Sequence, residues 1–139
     1  QNRTELEPDL LVAVDKIKWA DHLVFIHPVW WGGLPAIMKG FIDRTFLPGI
    51  VFQYKENSVW WEKLLNGKAA HIICTLDQPY WYYKLINGRP AINQLKKMTL
   101  EFCGVKPIRV TTFSPIRTST EATRNKWLKT VEALGEKLK

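Results

Sequence analysis

The stretch Leu23-Val24-Phe25-Ile26-His27-Pro28-Val29-Trp30-Trp31-Gly32-Gly33-Leu34-Pro35 decides the fold. Its first four residues form an unbroken apolar run, which reads as a strand buried on both sides in a parallel sheet. Residues 30–33 read as a loop, with two glycines that permit unusual backbone angles. Pro35 opens a helix whose expected inner face is Ile37, Met38, Phe41, Ile42 and Thr45. The order is strand, loop, helix, and it recurs downstream.

Upstream, Leu10, Ala13, Val14, Ile17 and Ala20 share one helical face, and Pro8 suits the first turn of that helix. Residues 47–68, punctuated by Pro48, Gly49, Asn57 and Gly67, are expected to be irregular. Residues 69–74 form a second buried strand. Residues 75–90 form a loop carrying Tyr80, Trp81, Tyr82 and Tyr83. A helix over 91–103 turns Ile92, Leu95, Met98 and Phe102 inward and stops at Gly104. Residues 108–113 form a third strand. Thr118 and Glu121 stand at capping-box spacing before a last helix that buries Trp127, Leu128, Val131, Leu134 and Leu138.

Strands alternating with helices imply right-handed crossovers and an α/β fold, a parallel sheet covered on both faces. Such sheets bind ligands at the carboxyl ends of their strands. Those ends are residues 27–33, 75–83 and 113–118, and the first two are rich in aromatic side chains. Consecutive rings cannot all face one core from an extended chain, so some line a pocket or an interface. A slot for a flat aromatic ligand is the bottom-up expectation.

Composition narrows the function. At 139 residues the chain is long enough for one domain and too short for two. Lys and Arg number 20 and Asp and Glu 13, a net charge of +7 that favours anionic partners. The cations are scattered without a basic stripe, so nucleic-acid binding is not expected. Cys74 and Cys103 read as free, buried thiols of a reducing compartment, the cytoplasm. No apolar stretch reaches the roughly 20 residues of a membrane span, so no membrane insertion is expected. The polar residues 1–7 do not read as a signal peptide. No metal-ligand spacing is present. His27 and His71 are expected to be structural, His71 as a buried, hydrogen-bonded ring.

Residues 20–25 and the string Pro-x-x-Trp-x-x-x-Pro-Ala-x-x-Lys-Gly, from Pro28 to Gly40, resemble the flavodoxin-like NAD(P)H:quinone oxidoreductases, the DT-diaphorase family. Phe52-Gln53-Tyr54 and Leu100-Glu101-Phe102-Cys103-Gly104 fit the same pattern. The similarity runs from about Asp9 to Leu138. It implies a three-layer flavodoxin-like fold and a bound flavin, FMN or FAD. By position, Pro28, Val29, Trp30, Trp31 and Gly32 would wrap the flavin ring. Cys74, Thr75, Leu76 and Asp77 would form the second flavin-contacting loop, where DT-diaphorase has Gly-Gly in place of Leu76-Asp77. Tyr82 matches a tyrosine that relays charge during hydride transfer, and Asn87 stands where a histidine is found. Phe52 and Tyr54 match aromatics that reach into the substrate pocket of a partner subunit. Arg124 matches a contact to the adenine side of FAD.

The resemblance therefore implies an enzyme that moves a hydride from NAD(P)H through the flavin to a quinone, or to a similar small acceptor, by a ping-pong route. It also implies a homodimer. A different class stays open: an ancillary flavoprotein subunit that regulates a potassium-efflux system. The family sheet has five parallel strands, and this chain supplies the last three. Strands one and two and the phosphate-cradling loop have no counterpart before Gln1, so residues 1–139 are expected to be the C-terminal portion of a single flavodoxin-like domain.

Overall fold

The computed structural model describes residues 6–138. The polar stretch at residues 1–7 thus lies mostly outside the described residues. The chain opens with α1 (Pro8–Trp19), in which Pro8 sits in the first turn and Val14 and Ile17 are buried. A salt bridge from Glu7 to Arg44, 2.6 Å, ties its start to the next helix. Then come β1 (His22–Pro28), α2 (Ala36–Thr45), β2 (Phe52–Tyr54), β3 (Trp61–Lys63), β4 (Ala69–Thr75) and α3 (Tyr80–Leu85). One continuous helix follows: α4 (Pro90–Asn93), a π-helical segment (Gln94–Leu100) and α5 (Glu101–Cys103). The chain closes with β5 (Ile108–Phe113) and α6 (Glu121–Glu136).

The main sheet has the order β1-β4-β5. β4 pairs parallel to β1 from His22↔Ala69 to Pro28↔Thr75, and parallel to β5 from Ala70↔Ile108 to Thr75↔Phe113. Being central, β4 has its five interior residues buried. One sheet face, with Leu23, Ala70 and Ile72, packs on Ile17, Ile42, Leu95 and Leu100 from the helices. The other face carries α6, where the Phe113 and Trp127 rings lie 5.4 Å apart. The α/β class, the parallel pairing and the helices on both faces are as the sequence implies.

Several local expectations are corrected. Residues 47–68 are not irregular throughout: β2 and β3 form an antiparallel ladder from Phe52↔Lys63 to Tyr54↔Trp61. Three-residue strands are too short for period-two alternation to register. The aromatic run expected in a loop forms α3, which puts Tyr80 and Tyr83 on one side, three residues apart. β1 is buried on one face only; Val24 is exposed and Ile26 is 67% exposed. Ile37 is 84% exposed, so the inner face of α2 is narrower than expected.

Met98 is 73% exposed and Leu100 fully buried. The π-helical segment adds a residue to the turn, so Leu95 is followed inward by the residue five positions on. The cap of α6 is Thr120, whose Oγ1 accepts the Thr123 N–H at 3.2 Å, rather than Thr118. α6 has no fully buried residue; Leu128 and Leu138 are exposed. Its apolar side instead borders a groove of about 450 Å³ shared with Ile26, Ile73 and Phe113.

Candidate functional site

The carboxyl end of β1 leads into a tight turn. The Trp30 N–H donates to Gly33 O (3.2 Å) and the Gly33 N–H returns to Trp30 O (2.9 Å). Between them Trp31 has φ 51° and Gly32 φ 77°. Positive φ at both central positions is the type I′ pattern. Gly32 suits its place twice over. The backbone there is left-handed, and a Cβ would meet Pro90 Cγ at 3.4 Å. Trp31 pays the steric cost of its own left-handed backbone and presents its indole wholly to solvent. Among the described residues, no protein acceptor is found for the N–H groups of Trp31 and Gly32.

The carboxyl end of β4 supplies the second wall. The Val29 N–H donates to Thr75 O at 2.7 Å and joins the two loops. Leu76 is buried; its N–H donates to Phe113 O and its carbonyl accepts the Ile116 N–H, both at 3.1 Å. Asp77 Oδ1 accepts the Arg117 N–H at 2.9 Å, which holds the third strand-end loop against the second. Asn87 and Pro90 close the remaining side. The resulting cleft, about 960 Å³, lies between Val29–Gly32 and residues 76–78. A recess of about 150 Å³ beside it adds Pro28, Thr75 and Ile116.

The structure places Val29, Trp30, Trp31, Gly32, Leu76 and Asp77 along the cleft and Pro28 and Thr75 along the recess beside it. Cys74 is placed differently. It is fully buried behind the wall, with its Sγ 3.6 Å from Thr112 Oγ1, and burial raises its pKa. Its side chain alternates inward because Thr75 faces the other way along the strand. Tyr82 is 41% exposed, edge-on to Trp81, and does not line the cleft. On α3 it stands about 100° around the axis from buried Tyr83. Phe52 is buried, edge-on to Tyr54 and Phe102, and borders a separate cavity of about 220 Å³. Tyr54 is exposed on the same hairpin. Neither lines this chain's own cleft.

His71 is the buried, hydrogen-bonded ring the sequence suggests, with its Nε2 2.8 Å from Thr111 Oγ1. His27 is also buried; its Nδ1–H donates to Pro28 O at 2.9 Å, and desolvation lowers its pKa. Arg124 donates to Ser119 O at 2.6 Å.

Sequence reasoning missed Tyr83. It is fully buried, and its hydroxyl meets both the Trp30–Gly33 turn and the start of α4. The signal was the spacing of Tyr80 and Tyr83, which places both on one helical side once residues 80–85 are read as a helix.

The donor set suits a planar, electron-rich heterocycle. Among the described residues the N–H groups of Trp31, Gly32, Asp77 and Gln78 have no protein acceptor, and Val29 and Leu76 supply apolar surface. Asp77 is the one charged residue lining the cleft among those described. Among the described residues these walls offer hydrogen-bond donors and apolar surface to a planar ring and no cation to a phosphate. Among the described residues there is no cluster of potential metal ligands, and no helix is long and apolar enough to cross a membrane.

A family model for the flavodoxin-like fold matches residues 2–138. The crystal structure of Smu.1420 from Streptococcus mutans UA159 superposes with a TM-score of 0.81 at 36% identity, covering 92% of this chain and 66% of that one. NAD(P)H dehydrogenase (quinone) 1 of Cavia porcellus is 34% identical over 106 residues, 73% of this chain and 38% of that protein. FMN-dependent NADH:quinone oxidoreductase of Caldicellulosiruptor bescii is 36% identical over 96 residues, 67% of this chain and 45% of that protein. The chain spans less than half the length of these two curated relatives.

Proposed function

The chain belongs to the flavodoxin-like family, and from that premise we propose that it forms the ring-binding part of an NAD(P)H-dependent flavin oxidoreductase acting on quinones or similar acceptors. The observation that carries this reading is the cleft itself. Two strand-end loops of a parallel sheet converge there, and among the described residues the backbone N–H groups of Trp31, Gly32, Asp77 and Gln78 have no protein acceptor. FMN or FAD would supply the two-electron chemistry, taking a hydride from NAD(P)H and giving it to the acceptor.

The chain's own residues do the rest. The Trp31 and Gly32 N–H groups offer hydrogen bonds to the electron-rich edge of the ring, where they stabilise added negative charge. Val29 and Leu76 exclude water from its surface. Trp30 and Trp31 guard the mouth with planar side chains that suit flat donors and acceptors. A single opening would serve donor and acceptor in turn, a ping-pong order. Tyr82, exposed on α3 outside the cleft lining of this chain, is the phenol that the resemblance matches to proton sharing with the reacting edge, a role that requires it to turn toward the cleft. Tyr54, exposed on the β2–β3 hairpin and braced by Phe52 at 5.2 Å, is assigned to the cleft of a second copy in a homodimer. Relatives named for FMN-dependent and NAD(P)H quinone reduction support the reading.

The test is spectroscopic, then kinetic. The purified protein, incubated with FMN and with FAD, is expected to retain a flavin absorbance band after gel filtration. Initial rates with NAD(P)H and a benzoquinone are expected to give parallel double-reciprocal lines, and Tyr82→Phe to lower kcat. Protein that stays colourless with both flavins overturns the proposal.

A further inference from the structure

Tyr83 is the largest side chain that the fold buries completely among the described residues. A phenol so placed needs partners for its hydroxyl, because an unmatched polar group in the interior is costly. The Tyr83 oxygen accepts the Ala91 N–H at 3.0 Å, and its proton is directed at Gly32 O, 3.4 Å away. The Ala91 N–H also donates to Gly32 O at 3.0 Å. The three groups close a triangle that joins α3, the first turn of α4 and the Trp30–Gly33 turn. The backbone of Tyr83 adds a second tie. Its carbonyl accepts the Arg89 N–H at 3.0 Å, and Arg89 holds a left-handed φ of 54° at the end of the loop that brings Asn87 to the cleft.

We propose that Tyr83 is a positioning residue for the ring-binding cleft: its hydroxyl fixes the Gly32 carbonyl, and through it the orientation of the unpartnered Trp31 and Gly32 N–H groups. The Trp30–Gly33 hydrogen bonds close the turn on itself, and the ties from Tyr83 and Ala91 to the Gly32 carbonyl hold its tip against the helices. Type I′ geometry sets its shape, and among the described residues the hydrogen bonds from its tip to the helix layer run through the Gly32 carbonyl. A phenylalanine at position 83 would fill the same volume and leave the Ala91 N–H to Gly32 O as the single tie. The role of the hydroxyl is therefore separable from that of the ring. The consequence for a bound flavin rests on the functional reading above; the consequence for the turn does not.

The experiment compares wild type with Tyr83→Phe in two readouts. In amide hydrogen exchange, Gly33 and Ala91 are expected to exchange about tenfold faster in the variant, while Ile72 and Ile73 in β4 keep wild-type protection. In flavin titrations, affinity is expected to fall about tenfold for the oxidised cofactor and further for the reduced one. The two-electron potential then drops by about 30 mV for each tenfold of that difference. Unchanged exchange at Gly33 and Ala91 overturns the proposal. So does an equal loss of protection in β4, which would mark Tyr83 as a core residue only. If wild type binds no flavin, the functional reading falls, and the exchange pattern alone decides for or against the hold on the turn.

Discussion

Burial controls the chemistry of the two thiols. Cys74 lies in the centre of β4 and Cys103 at the end of α5, and neither is accessible. Desolvation disfavours both thiolates: it raises the pKa of Cys74 against a weaker opposing hydrogen bond from Thr112, and pushes Cys103 up to about 12 despite Lys63 nearby. Alkylation needs a thiolate that the reagent can reach. Native protein held with iodoacetamide at pH 8 is therefore expected to show no adduct by intact-mass spectrometry, and two adducts once denatured. A modified native protein would show that one thiol is open. At this scale the sequence was readable where the cause is local. Pro8 marks a helix start through its fixed φ. Gly104 marks a stop because its φ is 104° and a Cβ would lie 2.5 Å from Asn66 Oδ1. The spacing of Tyr80 and Tyr83 hints at a shared helical side, but the hydroxyl's partners were unreadable, since Gly32 and Ala91 lie 51 and 8 residues from Tyr83 and meet it only in three dimensions.

The helix from Pro90 to Cys103 shows what an element hides. Ile92 and Leu95 set a phase that, continued at 3.6 residues per turn, brings Met98 or Thr99 inward. The π-helical segment breaks that phase, and Leu100 takes the buried place. The two residues therefore exchange their expected weights. Leu100→Ala is expected to cost about 2–5 kcal/mol, the range for a buried leucine. Met98→Ala is expected to stay within about 0.5 kcal/mol, as at an exposed site. Urea unfolding of the two variants checks the order, and a larger loss for Met98→Ala would mean that a regular helix prevails in solution. The same limit explains α3, β2 and β3. Each is at most six residues long, shorter than the window in which a period can be read. The long strands β4 and β5 and the helix α2 were readable because each spans several repeats of its pattern.

Across the whole molecule, the parallel order and the location of the cleft follow from alternation alone, since helical crossovers put the strand ends together. Side-specific burial does not follow, because an apolar run such as residues 23–26 is silent about which face is covered. Val24 and Ile26 are exposed for that reason, while His27 on the opposite face is buried. The buried histidines give the fold a pH dependence. Desolvation is the main cause holding His27 and His71 below their ordinary pKa of 6.5, with His22 and Arg109 adding to the effect on His71. The unfolded chain takes up protons near 6.5, and the folded chain resists until lower pH. Between those values the unfolded state binds more protons, so stability rises with pH and falls on acidification. The net charge of +7 acts in the same direction, since each further proton adds to an existing excess of positive charge. Thermal unfolding is therefore expected at a lower Tm at pH 5 than at pH 7.5. The double variant His27→Gln/His71→Gln loses the Thr111 contact and is expected to be less stable at both pH values. Its Tm is nevertheless expected to change less between them, because neither glutamine titrates. A variant whose pH slope matches wild type would assign the dependence to other groups and leave the two buried rings with a packing role alone.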